Sequence, residues 1–255
     1  MRSHSIAWTM FQSGAHAMII TAPILSEGAG AQVRRPFPSP ELRWPATDPF
    51  LLFDEFFVAM HAGFPDHPHR GFEIITYILD GGFEHRDSLG NHVRALAGQA
   101  MHFVTGSGVI HSEMPIGSAH GIQLWINLPR ALKTVAPSLE LVALQQMPVR
   151  TFEGGTVCRL ASPSGPIVPS TDVIYDSVRF DRAGMWSVAL PEDWVGIAYV
   201  LEGTLEINGA SADAGHLALI EHGQMELAAS AQASAIVLQG KRQHESVRFI
   251  GPFVD

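Results

Sequence analysis

"HPHRGFEIITYILDGG", residues 67–82, places two histidines around one proline and then runs into an apolar stretch that ends in two glycines. In an extended chain, residues i and i+2 point to the same face roughly 6–7 Å apart. His67 and His69 therefore aim two imidazoles at one place, at the mouth of a strand. Pro68 confines the residue before it to extended geometry, which holds that aim before any ligand arrives.

The same rhythm continues on both sides. Twenty-four glycines and 17 prolines punctuate short apolar runs rich in Val, Ile, Phe and Leu, such as "FLLFDEFFVAM", "GIQLWINL", "VIYDSVRF" and "SAIVLQG". That pattern predicts an all-β fold, and the lack of any long 3.6-residue apolar periodicity predicts few and short helices. "YILDGGFEHRDSLGNH" reads as a strand, a Gly-Gly turn, a short strand and a second turn at "SLGN". The two halves echo each other weakly, as "YILDGGFEHRD" near residue 77 and "YVLEGTLEING" near residue 199 share an aromatic, two apolar residues, an acid and a glycine. An internal repeat of this kind predicts two β-barrel domains of one design in tandem. The reading is an N-terminal extension over 1–18, a first domain over 19–135 and a second over 136–255, with the connector in the proline-bearing stretch 129–150.

Composition narrows the class. At 255 residues and 46% apolar content the chain has ample material for a buried core. The single cysteine, Cys158, excludes an intramolecular disulfide framework, so a reducing cytoplasm is the expected compartment. No apolar run approaches the roughly 18 residues of a membrane span. Ala15-His16-Ala17 has the look of a signal cleavage site, but the apolar run before it is too short and is broken by "QSG". Residues 1–17 are therefore expected to be a loose extension whose removal changes little. A net charge of −9 with only 16 scattered Lys and Arg argues against direct nucleic-acid binding, and Arg34-Arg35 is too short to make a basic stripe.

Eight of the 13 histidines fall between His61 and His120, and His111 with Glu113 repeats the one-residue spacing of His67 with His69. Two such pairs on neighbouring strands make a four-donor site. Imidazole and carboxylate donors without thiolate suit a first-row ion: Fe(II), Mn, Ni, Cu or Zn. Three histidines and one carboxylate leave coordination positions open, which is the pattern of a reactive ion rather than a sealed structural one. His61, His85, His92, His102 and His120 read more simply as loop or strand-face residues. His120 or Gln123 is a candidate partner behind the site, because metal-bound histidines commonly donate their second N–H to a neighbour. Phe64, Met101, Phe103 and Trp125 are candidate walls of an apolar substrate pocket, with ordinary core packing as the plainer reading. Gly106 and Gly108 would let the chain turn tightly enough to deliver His111 from the opposite side.

Taken together, His67-Pro68-His69 with Glu73 and Gly81-Gly82, then Gly106, Gly108 and His111, resembles the two metal motifs of the cupin superfamily. More narrowly, "SEGAGAQVRR", "DPFLLFDEF", "GFPDHPHRGFEIITYILDGG", "HRDSLGN", "TGSGVIHSEMP", "HGIQLWINLP" and the terminal "GPFV" are similar to the pirin family, densely in the first half and sparsely in the second. The resemblance implies a bicupin with one metal, usually iron, in the first domain. It places the family's four ligands on His67, His69, His111 and Glu113. It also implies that Glu73, where many other cupins keep a carboxylate ligand, is not one here. The second half has "MWSVALPEDW" where the first has its histidine pair, and its His216, His222 and His244-Glu245 lack the ligand spacing, so no metal is expected there.

Two functions follow from the resemblance. One is a dioxygenase that opens a flavonol such as quercetin with release of carbon monoxide, with Glu113 as the base that accepts the flavonol proton and dioxygen as co-substrate. The other is a metal-containing regulator or redox sensor that binds a protein partner. An isomerase or sugar-binding cupin is a more remote third.

Overall fold

The computed structural model describes residues 17–255, which fold into antiparallel strands joined by turns. No α-helix occurs among the described residues; the helical content is two single 3₁₀ turns, Arg130–Leu132 and Leu144–Gln146, both in the proline-bearing connector. Among the described residues no helix is long and apolar enough to cross a membrane.

The first domain is a nine-stranded sheet. Its main path runs Ser138–Val142, Ala100–Val104, Phe72–Asp87, Val109–Asn127, Phe50–Val58, Ala31–Phe37 and Ile24–Glu27, with Phe64–His69 and His92–Leu96 paired beside it. The second domain is a seven-stranded sheet facing a four-stranded one. Neither domain closes into the barrel that the sequence suggests: the sheets stay open.

Two long strands organise the first domain. Phe72–Asp87 pairs with Val109–Asn127 along nearly its whole length, with register shifts between Ile78 and Asp80 and between Gly81 and Phe83. The Gly-Gly turn expected at 81–82 is instead a bulge inside one continuous strand. Gly81 has φ of +70°, and a Cβ there would run into the Ser118 carbonyl oxygen. The pair bends at that point without reversing. The true hairpin turn comes later, at Ser88–Asn91, before His92–Leu96.

Period-two alternation then assigns each face. Ile75, Tyr77, Ile122, Leu124 and Ile126 point out of the first domain, beside Phe37, Phe50 and Phe53, and pack with Tyr175, Ile197, Tyr199, Leu217, Leu219, Ile236 and Leu238 of the second domain. The rings of Phe53 and Tyr199 lie 4.8 Å apart across this boundary. Phe72, Ile74 and Phe103 point the other way, with Leu51, Val109 and Val254. The run Phe72–Ile78 is buried on both faces, which is why it reads as continuous apolar sequence. Two carboxylates sit in the boundary with full complements of partners. Glu55 takes Tyr199 Oη at 2.7 Å, Arg34 at 3.1 Å and His120 at 2.9 Å. Glu73 takes His102 at 2.7 Å and the Ser170 N–H at 2.9 Å.

The chain ends are exchanged between domains. Ala17–Thr21 pairs with His216–Ile220 at the edge of the seven-stranded sheet, while Val254, at the other terminus, is buried in the first domain. Ala17 and Met18 thus belong to a core-packing strand rather than to an extension, because Met18 and Ile20 add apolar surface to the central core. The remainder of the expected extension, residues 1–16, lies outside the described residues. Ser138–Val142 forms the edge of the first sheet beside Ala100–Val104, so the first domain continues past residue 135.

Since the central core draws on both domains, thermal unfolding is expected to be one cooperative transition by circular dichroism and calorimetry. Ile236→Ala, in that core, should lower it as a whole, at a cost of about 2–5 kcal/mol. Two resolved transitions in this variant would contradict a shared core.

Candidate metal centre

Phe64–His69 lies antiparallel to Val109–Asn127, with His67 directly opposite His111 and His69 opposite Val109. That register turns a sequence pair into a spatial cluster. Ring centroids are 4.6 Å apart for His67 and His69, 4.4 Å for His67 and His111, and 5.0 Å for His69 and His111. Each of the three offers a ring nitrogen within 4.8 Å of the other two.

The protonation states suit a cation. Burial, helped by the neighbouring His67, lowers His69 to about 3, and burial among the other imidazoles pushes His111 lower still. Both rings are neutral at physiological pH and carry a lone pair, the form a metal requires. His67 Nδ1 lies 2.8 Å from the Pro65 carbonyl and His69 Nδ1 lies 3.4 Å from the Pro252 carbonyl, so each N–H donates outward and Nε2 is left as the lone-pair donor. His111 Nε2 is buried with no hydrogen-bond partner. An orphaned ring nitrogen beside two lone-pair donors is what a site for a first-row ion requires, and these residues fit one.

Glu113 sits beside this cluster in a second, overlapping group, with His85 and His111. Gln123 Nε2 donates to Glu113 Oε2 at 3.0 Å, and Trp125 Nε1 donates to Gln123 Oε1 at 3.2 Å, so the carboxylate is oriented by a short relay of side chains. Of the two partners considered from sequence, Gln123 thus reaches the cluster, whereas His120 bonds Glu55 and stacks on Phe57. Glu73 lies on the opposite face of its strand, bonded to His102 and Ser170.

His85 is the residue that sequence reasoning passed over. It is only 1% exposed, with Nδ1 at 3.5 Å from His111 Nδ1 and 3.9 Å from Glu113 Oε1, and Nε2 at 3.3 Å from Asp87 Oδ2. Burial opposes its charge, yet the facing Glu113 and Asp87 carboxylates outweigh that and raise its pKa. Asp87 is held in turn by the Leu89 and Asn91 N–H groups and the Asn91 amide; these donors overcome burial and keep it below the usual carboxylate range. The spacing His85-Arg86-Asp87 carried the signal: it is a third i, i+2 pair on a strand.

The expected pocket walls divide. The Phe103 ring lies 5.1 Å from His111 and 4.9 Å from His85. Trp125 lies 4.8 Å from His69 and stacks on Phe72 at 4.2 Å. Phe64 is opposite Glu113 in register and meets Phe83 edge-on at 6.2 Å. Met101 belongs to a separate core cluster with Phe56, Ile78 and Phe83.

An open two-domain β fold with a candidate metal-binding histidine-carboxylate cluster in its first half is that of a bicupin. Comparison with known proteins narrows this. The pirin family model matches residues 30–126 and that of the pirin C-terminal cupin domain matches residues 175–255, so the chain belongs to the pirin family. Mouse pirin is 35% identical over 243 residues, covering 90% of this chain and 83% of its own. A Pseudomonas aeruginosa protein provisionally named a quercetin 2,3-dioxygenase is 34% identical over 252 residues, covering 90% of this chain and 87% of its own. The fold matches that of the Escherichia coli bacterial pirin YhhW in complex with nickel(II), with a TM-score of 0.75 at 19% identity over 89% of this chain and 99% of that one.

His111→Ala should abolish tight binding of a divalent ion, while far-ultraviolet circular dichroism stays unchanged. Gln123→Leu, which frees Glu113 from its donor, should weaken affinity about 10–100-fold in a chelator competition. Unchanged affinity in both variants would refute the cluster as the ion's seat.

Proposed function

We propose that the first domain holds one divalent transition metal, Fe(II) in the working protein, through His67, His69, His111 and Glu113, and that the chain is a cytoplasmic dioxygenase that opens the central ring of a flavonol and releases carbon monoxide. The observation that carries the reading is His111 Nε2, a buried ring nitrogen without a partner facing two further lone-pair donors. The name of the Pseudomonas relative supports the reaction, and the nickel in the Escherichia coli protein supports a metal. Manganese, nickel, copper and zinc suit the same donors.

When bound, the ion favours the ionised form of a hydroxyl coordinated to it and brings redox capacity. The chain's own residues do the rest. Glu113 has one oxygen tied to Gln123 and the other turned toward His85, so Oε1 is the acceptor for the flavonol 3-hydroxyl proton. A base within hydrogen-bond reach contributes about 10²–10⁴-fold. Phe103 and Trp125, in contact with the imidazoles, are flat surfaces against which an aromatic ring system stacks and from which water is excluded. Phe64, opposite Glu113 in register, extends this wall, whereas Met101 lies in a separate core cluster and takes no part in it.

The test is anaerobic loading with Fe(II), then oxygen uptake and carbon monoxide release with quercetin. Matched consumption of both substrates is expected. Glu113→Gln, which keeps the size and one oxygen donor, should lower turnover about 10²–10⁴-fold with far smaller loss of metal. Iron-loaded protein that consumes no oxygen with any flavonol would replace this reading with that of a metal-containing regulator acting on a protein partner.

A further inference from the structure

We propose that the C-terminal hairpin is a clamp that positions His69, so that the end of the chain sets the metal affinity of a site built by the other domain; this rests on the metal reading above. His67 and His69 are oriented by different means. The carbonyl facing His67 Nδ1 belongs to Pro65, two residues away, whereas the one facing His69 Nδ1 belongs to Pro252, 183 residues away. One imidazole is set by its own strand. The other depends on a distant segment staying docked.

The segment is anchored at every step of its return across the first domain. The Gln243 and His244 N–H groups donate to Asp48, and the side chains of Gln243 and Asn127 bond each other at 2.6 Å. Glu245 accepts from the Arg130 N–H at 2.8 Å. Phe249–Ile250 and Phe253–Val254 then form a two-stranded hairpin closed by reciprocal bonds between Arg248 and Asp255.

That hairpin docks on the residues that follow His69. The Val254 N–H donates to the Arg70 carbonyl at 3.0 Å, and the fully buried Val254 side chain packs with Phe72, Phe103 and Val109. Arg70 pairs with Asp255 at 2.7 Å and lies 5.2 Å over the Phe253 ring. Gly71, in the bend between Phe64–His69 and Phe72–Asp87, has φ of +86°, and a Cβ there would run into the Val254 carbonyl oxygen, so this bend is shaped to accept the hairpin. Lys133 ties the contact together, donating to Gly71 O at 2.9 Å, Val254 O at 3.2 Å and Asn127 Oδ1 at 2.7 Å.

The chemistry follows from the facing groups. A neutral imidazole with Nδ1 toward a carbonyl must keep its proton on Nδ1, since two lone pairs repel, and Nε2 is then free to bind the ion. With Trp125 and Phe72 against the ring at 4.8 and 5.1 Å, the Pro252 carbonyl is the polar partner that selects this tautomer. Linkage makes the effect reciprocal: metal that gains from an oriented His69 must also stabilise the docked hairpin.

Two variants test this with Ni(II) as the probe. One ends the chain after Ile250; the other, Lys133→Met, keeps every backbone atom of the hairpin while removing its central tie, and decides the matter if the shortened chain does not fold. Chelator competition should show Ni(II) affinity about 10–100-fold weaker in each. Nitrogen-15 shifts of the His69 ring in metal-free protein should show loss of the Nδ1–H tautomer. Ile207→Val, in the second domain's own core, should change neither readout. Nickel should also slow hydrogen exchange at the Val254 N–H of the unaltered chain. Folded variants that keep the affinity within twofold and the same His69 tautomer would overturn the clamp. Unaltered protein that binds no Ni(II) would overturn the metal reading instead, and the tautomer comparison would still decide the clamp.

Discussion

The structure depends on one pairing, that of Phe72–Asp87 with Val109–Asn127. Below the Gly81 bulge the two strands have both faces covered, one by the interior of the first domain and one by the second domain. Beyond it they turn away from the second domain and carry His85, His111 and Glu113. The same Val109–Asn127 strand then takes Phe64–His69 as a further partner, which brings His67 and His69 to His111. A slip of one residue in that register would turn His111 and Glu113 to the other face and dissolve the cluster.

Burial makes the cluster chemically distinct. His69 and His111, shielded from water and packed beside further imidazoles, are held as neutral bases with unused lone pairs. The groups around them have the opposite tendency: Asp87 is held ionised by the turn it closes, and it and Glu113 draw a proton toward His85. Neutral donors on one side and an acid-imidazole pair on the other are the arrangement expected where a cation is bound and a proton is moved.

The two domains have separate tasks yet do not stand apart. Each contributes a sheet face to the central core, the first described strand lies in the second domain's sheet, and the last lies against the first domain. Glu55 and Glu73 receive donors from the second domain, Tyr199 and Ser170. The half without the histidine cluster thus supports the half that has it, as packing surface and as the source of the segment behind His69.

Sequence alone determined the strand-rich class, the two-part organisation and the three histidines that come together, because period two and proline stiffness are local properties of the chain. The one-residue spacing also paired Glu113 with His111, and the structure places it in the overlapping group with His85 and His111. What it did not determine depends on which strands meet. The Gly-Gly pair reads as a turn until the pairing with one continuous strand shows it to be a bulge. His85 reads as a strand-face residue until the bend at Gly81 lays its strand over His111. Ala17 and Met18 look like the end of a loose extension because their partner strand, His216–Ile220, lies some two hundred residues away. The Pro252 carbonyl behind His69 leaves no sequence trace, since a backbone oxygen has no residue type, and only the tertiary structure could place it there.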